Sequence, residues 1–262
     1  MSTKPEILQV GASPRGVVTL TLNRPEVSNA IHQDMIDRLG AEFARLGRDD
    51  SVRAIVIRGN GKHFSGGADV RWHGNRAPED PKAPPLSVFQ LCDNIRTTPR
   101  PTIALVHGGC IGSALGIASC CDILIASHNA FFSIPEVRIG FSPGIDSSKM
   151  FSRAIGVRNF RRYAMSGQRF SAEDALRMGL AHQLVEPPHM DTALADQIEE
   201  ILLAAPGAQR KAKAMADALN PPLPGAVKDI QHLFVNPLAT PESVEGHKSF
   251  IEKRKPNWYP QR

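Results

Sequence analysis

The chain is 262 residues long, with 42% hydrophobic residues, 22% charged residues and a formal net charge of +5. These values are typical of globular proteins and exclude a disordered or fibrous chain. The mild positive charge fits either a solvated surface or an anionic ligand. Because the sequence contains no long run of Lys or Arg, we do not expect a nucleic-acid partner.

The cysteines and the N-terminal segment indicate the compartment. The four cysteines lie in apolar sequence without disulfide or metal-ligand spacing, so we expect buried free thiols in a reducing compartment. The first ten residues, MSTKPEILQV, contain neither an apolar core nor a small-residue cleavage site, which argues against secretion. We therefore predict a cytoplasmic protein without membrane association.

The first half of the chain alternates between strand-like and helix-like segments. β-Branched residues predict a strand over 16–25, and apolar residues at helical spacing predict a helix over 29–49. A strand over 52–62 ends in a glycine turn. A charged, Pro-rich surface loop over 74–85 then precedes a helix over 86–96.

The stretch RPTIALVHGGCIGSALGIASCCDILIAS contains twenty consecutive residues, 102–121, without a formal charge. That length suits a membrane-spanning helix, and its glycines four residues apart resemble a membrane-helix dimer face. However, Pro101 precedes a β-favouring run, and two adjacent glycines follow His107. We therefore predict a strand, a glycine loop and a buried helix here, and no membrane span.

Two strand-like segments, DILIAS and AFFSIPE, follow this stretch, and helix-like segments complete the chain. Helices are predicted over 146–156, 158–167 and 171–179, the last with a Ser N-cap, and over most of the tail from residue 191. This succession predicts an α/β core over 1–195 and a helical C-terminal region over 196–262.

Two glycine-rich loops, FSGGADV and GGCIGSALG, each follow the end of a predicted strand. Glycine lacks the side chain that would keep a ligand away from backbone N–H groups. Two such N–H groups converging on one oxygen would form an oxyanion hole, whereas tight turns and close packing would explain the same glycines without a ligand. GGCIGSALG lacks the G-x-G-x-x-G spacing, and GNGKHF has no Ser or Thr after its lysine, so neither fits a nucleotide-binding fingerprint. The histidines show no metal-ligand spacing, so we expect no metal site.

Two acids near these loops are candidates for a general acid or base. Asp122 lies at the start of a strand, where we favour a structural carboxylate that orients the backbone. Glu136 lies between strand-like residues and a Pro–Gly turn. Partial burial there would raise its pKa toward neutrality and suit proton transfer. A surface glutamate at a strand end is an equally good interpretation of the same pattern.

Several segments resemble the enoyl-CoA hydratase/isomerase (crotonase) superfamily in order and spacing, among them VVTLTLNRPEVSNAI, GKHFSGGADV, the uncharged stretch, FSIPEVRIGFSPG and FIEKRKPNW. The resemblance implies a spiral of ββα units with a helical C-terminal trimerisation region, assembled as a homotrimer or hexamer. It also implies an acyl-CoA thioester substrate in acyl-CoA or fatty-acid metabolism. Coenzyme A would be part of that substrate, with no permanently bound cofactor, and the loop over 74–85 would shape the acyl pocket.

The resemblance also assigns roles by position. The backbone N–H groups of Ala68 and Ser113 would stabilise the enolate that develops on the thioester oxygen, and Glu136 would be the principal acid/base. The candidates for contacts with the substrate or its CoA phosphates are Arg24, Lys62, Gly66, Gly67, Ala68, Asp69, Arg71, Gly109 and Gly112.

The sequence departs from the hydratases at one of their two catalytic glutamates, whose position is Gly116 here. Asp146 is a possible auxiliary acid. One carboxylate suffices to move a double bond between C3 and C2, whereas adding water normally needs a second group to orient it. We expect hydration or isomerisation of an enoyl-CoA double bond. The alternatives are an aromatic hydratase–lyase and a catalytically degraded acyl-CoA- or RNA-binding homologue.

Overall fold

The computed structural model describes residues 6–71, 87–218 and 241–257. The strands in these ranges are β1 (Leu8–Ala12), β2 (Val17–Leu22), β3 (Ala54–Gly59), β4 (Thr102–Val106), β5 (Gly109–Ile111), β6 (Ile123–Ser127), β7 (Phe131–Ser133), β8 (Arg169–Ser171) and β9 (Gln183–Val185). The helices are α1 (Gln33–Arg48), α2 (Val88–Thr97), α3 (Ser113–Ser119), α4 (Ile145–Ile155), α5 (Val157–Ser166), α6 (Ala172–Arg177), α7 (Met190–Leu203), α8 (Pro206–Ala218) and α9 (Pro241–Ile251).

The strands form two sheets. The larger sheet has the order β1-β2-β3-β4-β6-β9, in which only the β1–β2 pair is antiparallel. The smaller sheet has the order β5-β7-β8, with β5 and β7 parallel and β7 and β8 antiparallel. Because β4 belongs to the larger sheet and β5 to the smaller one, the chain passes between the sheets at the glycines that follow β4.

Both faces of the larger sheet are covered, because successive strand residues point to opposite sides. On β3, Ile55 and Ile57 join the core formed with α1, α2 and α3, whereas Ala54 and Val56 join a second core formed with α7. All five residues of β4 are buried. This arrangement explains the nearly continuous apolar sequences of the central parallel strands.

The structure confirms the predicted α/β architecture and the helical C-terminal region, while the trimerisation role of that region stays a prediction. The uncharged stretch divides into β4, β5 and α3, and no helix of the described residues is long and apolar enough to cross a membrane. Ser171 caps α6 as expected, and the four cysteines are free. The proposed boundary after residue 195 falls within α7 and stays a prediction, and the loop over 74–85 lies outside the described residues.

Candidate active site

The two glycine loops meet beyond the ends of β3 and β4. Ser65 N–H donates to Gly109 O (3.0 Å) and Ile111 N–H donates to Ser65 O (3.2 Å), which joins the loops by a short parallel bridge. Gly67 has a φ of +89°, and a β-carbon on it would lie 2.5 Å from Ile111 O. Because only glycine permits this close approach, the contact between the two loops requires a glycine at position 67.

The backbone N–H groups of Ala68 and Ser113 have no acceptor among the described residues. Ile31 N–H donates to Gly67 O and Asp69 N–H donates to Ile31 O, both at 2.8 Å. In such a parallel bridge the N–H of the intervening Ala68 points away from the partner strand. Ser113 is the first residue of α3, where the N–H has no acceptor within the helix. Both N–H groups are therefore available to an oxygen atom of a ligand.

Asn29, which sequence reasoning did not single out, holds the first loop in place. Its buried amide donates to Asn60 O, His63 O and Phe64 O at 2.8, 2.9 and 3.1 Å. Ser65 Oγ donates to Asn29 O at 2.8 Å. Asn29 has a φ of 53°, a left-handed conformation that asparagine adopts more readily than most residues. The sequence signal that could have identified Asn29 is an asparagine shortly before a predicted helix.

Glu136 begins the 3₁₀ turn Glu136–Ile139, after β7 and Pro135. Its Oε1 lies 3.6 Å from the position that a β-carbon on Gly112 would take, so the carboxyl group faces the turn that presents Ser113 N–H. Its Oε2 is buried without a hydrogen-bond partner among the described residues. Burial raises the pKa of Glu136 to about 7, opposed only in part by a hydrogen bond from its own backbone N–H. This carboxyl group can therefore accept or release a proton near neutral pH.

The C-terminal helix α9 packs directly on the turn that carries Glu136. A β-carbon on Gly246 would lie 2.3 Å from the carbonyl carbon of Ile139 and 2.8 Å from Gly140 N. Next to this contact, the rings of Phe141 and His247 stack with centroids 5.9 Å apart. The helical C-terminal region thus supports the segment that positions Glu136.

The space beside Gly116 is occupied by sulfur-containing side chains. A β-carbon on Gly116 would lie 3.2 Å from Met150 Cε, in α4, and 3.7 Å from Cys92 Sγ, in α2. Cys120 Sγ lies 3.5 Å from Met150 Sδ. We call the side chains of Met150, Cys92 and Cys120 the sulfur wall. Nothing in the sequence pattern predicted it, since its members lie on three separate segments.

The other candidate acids lie elsewhere. Asp146, in the first turn of α4, pairs with Lys149 at 3.5 Å and its side chain is 60% exposed. Within the described part of the chain no hydrogen bond joins Asp146 to Glu136. Asp122 Oδ2 accepts hydrogen bonds from Thr102 N–H, Thr102 Oγ1 and Lys213 Nζ, each at 2.8 Å. These bonds confirm Asp122 as a structural carboxylate.

The basic candidates divide into a bonded residue and two exposed ones. Arg24, which follows β2, forms an ion pair with Asp69 of the first loop at 3.4 Å and donates to Ala30 O at 2.6 Å. Lys62 and Arg71 are exposed on the two sides of the same loop. Their charges are therefore accessible to an anionic ligand.

The remaining glycines of the candidate set have structural contacts. Gly66 N–H donates to Ser28 O at 2.7 Å, and Gly109 N–H donates to His63 Nδ1 at 2.9 Å. Gly112 has a φ of 53° at the N-cap of α3, a conformation that favours glycine. Residues 6–71, 87–218 and 241–257 contain no group of three His, Cys, Asp or Glu side chains that could hold a metal ion.

Known proteins are similar to this chain over most of its length. The family model described as "Enoyl-CoA hydratase/isomerase" matches residues 12–261. A Mycobacterium bovis protein named "Probable enoyl-CoA hydratase echA8" is 31% identical over 240 residues, which cover 91% of this chain and 93% of the relative. The short-chain-enoyl-CoA hydratase of Clostridium acetobutylicum is 29% identical over 241 residues, covering 91% and 92% of the two chains.

Solved structures extend the similarity to the whole fold. The crystal structure of an enoyl-CoA hydratase/isomerase from Pseudoalteromonas atlantica superposes with a TM-score of 0.84 at 28% identity, and the match covers 97% of this chain and 100% of the other. The match of the family model over nearly the whole length, together with the fold, shows that this chain belongs to the enoyl-CoA hydratase/isomerase family.

Proposed function

We propose that this protein acts on enoyl-CoA thioesters through a thioester enolate, with Glu136 as its acid/base. The backbone N–H groups of Ala68 and Ser113 would hold the enolate oxygen. The observation that carries the proposal is the Glu136 carboxyl group itself. It faces Gly112, the residue before Ser113, it has a buried oxygen without a described partner, and its pKa is raised to about 7.

The geometry best supports migration of a double bond from C3 to C2 of the acyl chain. The Glu136 carboxylate removes a proton from C2, and the electron pair moves onto the thioester oxygen, where two N–H donors stabilise the negative charge. The protonated Glu136 then returns the proton at C4, and the double bond forms between C2 and C3. A single carboxylate with a pKa near 7 can perform both transfers.

Hydration of a 2-enoyl-CoA is the second candidate, and the names of the relatives favour it. Both relatives described above are named enoyl-CoA hydratases. In this reaction the oxygen of water bonds to C3 while Glu136 takes a proton from that water, and the protonated Glu136 then delivers the proton to C2 of the enolate. Because the sulfur wall beside Gly116 offers no carboxylate to orient the water, we expect hydration to be slower than isomerisation.

The same proposal accounts for the basic residues of the first loop. Lys62 and Arg71 are exposed, and their positive charges would attract the phosphates of CoA and raise the local concentration of an anionic substrate. Coenzyme A enters and leaves as part of the substrate, and the chemistry needs no permanently bound cofactor.

A substrate panel tests the proposal. Purified protein is incubated with 2-enoyl-, 3-enoyl- and hydroxycinnamoyl-CoA thioesters, and the products are followed by mass spectrometry in H₂O and D₂O. We expect turnover with deuterium incorporated at C4 on isomerisation or at C2 on hydration in D₂O, and a loss of about 10²–10⁴-fold in kcat for Glu136→Gln. An aromatic hydratase–lyase would turn over only the hydroxycinnamoyl substrate.

Full activity of a folded Glu136→Gln variant on every accepted substrate would show that Glu136 is not the acid/base. Binding of acyl-CoA without turnover by the wild type would indicate a degraded enzyme. Salt-dependent binding of RNA without acyl-CoA binding would indicate an RNA-binding homologue instead.

A further inference from the structure

We propose that Met150 determines which acyl groups this protein accepts, because its thioether closes the space beside Gly116 next to Glu136. The inference rests on the proposed acyl-CoA site and adds the residue that limits its acyl pocket. Met150 would favour short, unbranched, apolar acyl groups.

Met150 reaches α3 one helical turn from the point that Glu136 faces. Glu136 Oε1 lies 3.6 Å from the β-carbon position of Gly112, and Met150 Cε lies 3.2 Å from that of Gly116. Gly116 N–H donates to Gly112 O at 3.1 Å, so the two glycines are separated by a single turn, or about 5.4 Å along the helix axis. An acyl chain that is held at Ser113 N–H and Glu136 and extends along α3 toward Gly116 would therefore meet the Met150 methyl group.

Contacts within the sulfur wall orient the Met150 side chain. Cys120 Sγ, just beyond the end of α3, lies 3.5 Å from Met150 Sδ, so the sulfur of the thioether is contacted while its methyl group faces Gly116. Cys92 Sγ borders the same space, 3.7 Å from the Gly116 β-carbon position. The hydrogen bond with Cys120 and burial raise the pKa of the Cys92 thiol, which therefore stays uncharged.

The sulfur wall is apolar, and it follows that shape rather than hydrogen bonding selects the acyl group. A thioether is polarizable and accommodates hydrocarbon, but it is neither an acid nor a base at neutral pH. A misfit of one methylene in an apolar pocket typically changes specificity by about 10–200-fold. The methyl end of Met150 is thus a steric limit to chain length and branching near the reacting carbons.

Binding of saturated acyl-CoA thioesters tests this inference without any turnover. Dissociation constants for the series from butyryl- to decanoyl-CoA are measured by calorimetry for the wild type, Met150→Ala and Met150→Leu. We expect Met150→Ala to shift the ratio of butyryl to octanoyl affinity by about tenfold toward octanoyl. Met150→Leu, which keeps most of the apolar volume, should stay close to the wild-type ratio.

Met165→Ala is the matched control, because Met165 is 75% exposed on α5 and should bind the series like the wild type. If Met150→Ala does not fold, Met150→Val is measured instead, because valine is also smaller than methionine. If the ratio of butyryl to octanoyl affinity is unchanged in the folded Met150 variant, the proposed role of Met150 is wrong, but the proposed function is unaffected. Failure of every acyl-CoA to bind the wild type would instead overturn the proposed function on which this inference rests.

Discussion

Asp122 and Glu136 are two acids at the ends of neighbouring elements, and their surroundings are opposite. Three donors, from Thr102 and Lys213, converge on Asp122 Oδ2 at 2.8 Å. Glu136 has a buried carboxyl oxygen with no described partner. Asp122 therefore links the start of β4 to the start of β6 and to α8, whereas Glu136 keeps an oxygen free for a reaction.

The comparison separates two uses of a carboxylate. Hydrogen bonds to a carboxylate stabilise its charged form, and burial without such bonds destabilises it. A carboxylate that is fully bonded contributes to the fold, and one left unbonded in an apolar site costs free energy but can transfer a proton. Four predictions test this separation, from the largest expected effect to the smallest.

The largest difference should appear in turnover. Glu136→Gln removes the proton-transferring group and should lower kcat by about 10²–10⁴-fold, whereas Asp122→Asn should keep most of the wild-type kcat. Steady-state kinetics on the best substrate of the panel measures both, and circular dichroism confirms that each variant is folded. Equal losses in the two variants would contradict the separation of roles.

The support of the Glu136 turn by α9 gives the second prediction. In Gly246→Ala the new β-carbon would meet backbone atoms of Ile139 and Gly140, which cannot move aside like a side chain. We expect a loss of about 3 kcal/mol in the free energy of unfolding, together with lower kcat. Gly207→Ala is the control, since no atom lies within 4 Å of its β-carbon position. Similar stability of Gly246→Ala and Gly207→Ala in urea unfolding would argue against this support.

The raised pKa of Glu136 predicts a dependence of stability on pH. Its pKa is about 7 in the folded chain against a reference value of 4.5, so folding favours the protonated form. The contribution of this protonated form to the free energy of unfolding is fully present below the pKa of Glu136 in the unfolded chain. It is lost as the pH rises through about 7, the pKa of Glu136 in the folded chain. The loss should reach roughly 2 kcal/mol, less than the full conversion of the shift, because part of the residue is exposed.

Urea unfolding at about pH 5 and about pH 8 measures this effect. Glu136→Gln should lack this part of the loss between the two pH values and should therefore be more stable than the wild type at the higher pH. The same pH dependence in both proteins would show that Glu136 ionises as freely in the folded chain as in the unfolded one.

The smallest effect concerns Asp122 itself. Asp122→Asn weakens three hydrogen bonds to a charged oxygen, and about one-third of the Asp122 side chain is exposed. We expect a loss of about 1–2 kcal/mol in the free energy of unfolding. Asp146→Asn is the control, because its pair with Lys149 is largely exposed and such pairs contribute little. An equal loss in the two variants would mean that the bonds of Asp122 add nothing to the fold.

Most elements could be predicted from the sequence because their patterns are strong. The helices α1 and α2 and the strands β2, β3 and β4 follow directly from apolar spacing. The sequence patterns do not predict strands β1, β5, β8 and β9, of which the last three have only three residues each. Only Leu8 of the five residues of β1 is buried, so this edge strand shows no alternation. Its assignment depends on pairing with β2, which is a property of the folded chain.

The sequence also predicted the main residues of the candidate site but left their use open. It placed glycines at two strand ends and an acid at Glu136, yet a surface glutamate explained the same pattern equally well. In the folded chain Oε2 is buried and Oε1 lies beside the Gly112 turn, which favours the proton-transfer interpretation. No local pattern encodes that burial.

By itself, the sequence determined the alternation of strands and helices, the glycine loops and the absence of an acid at position 116. The tertiary structure decided what stands in place of that acid. Cys92 and Met150 are distant from Gly116 along the chain, and only the packing of α2, α3 and α4 brings them together. Short-range spacing specifies helices and turns, whereas the contents of a pocket depend on contacts between elements that the chain connects only remotely.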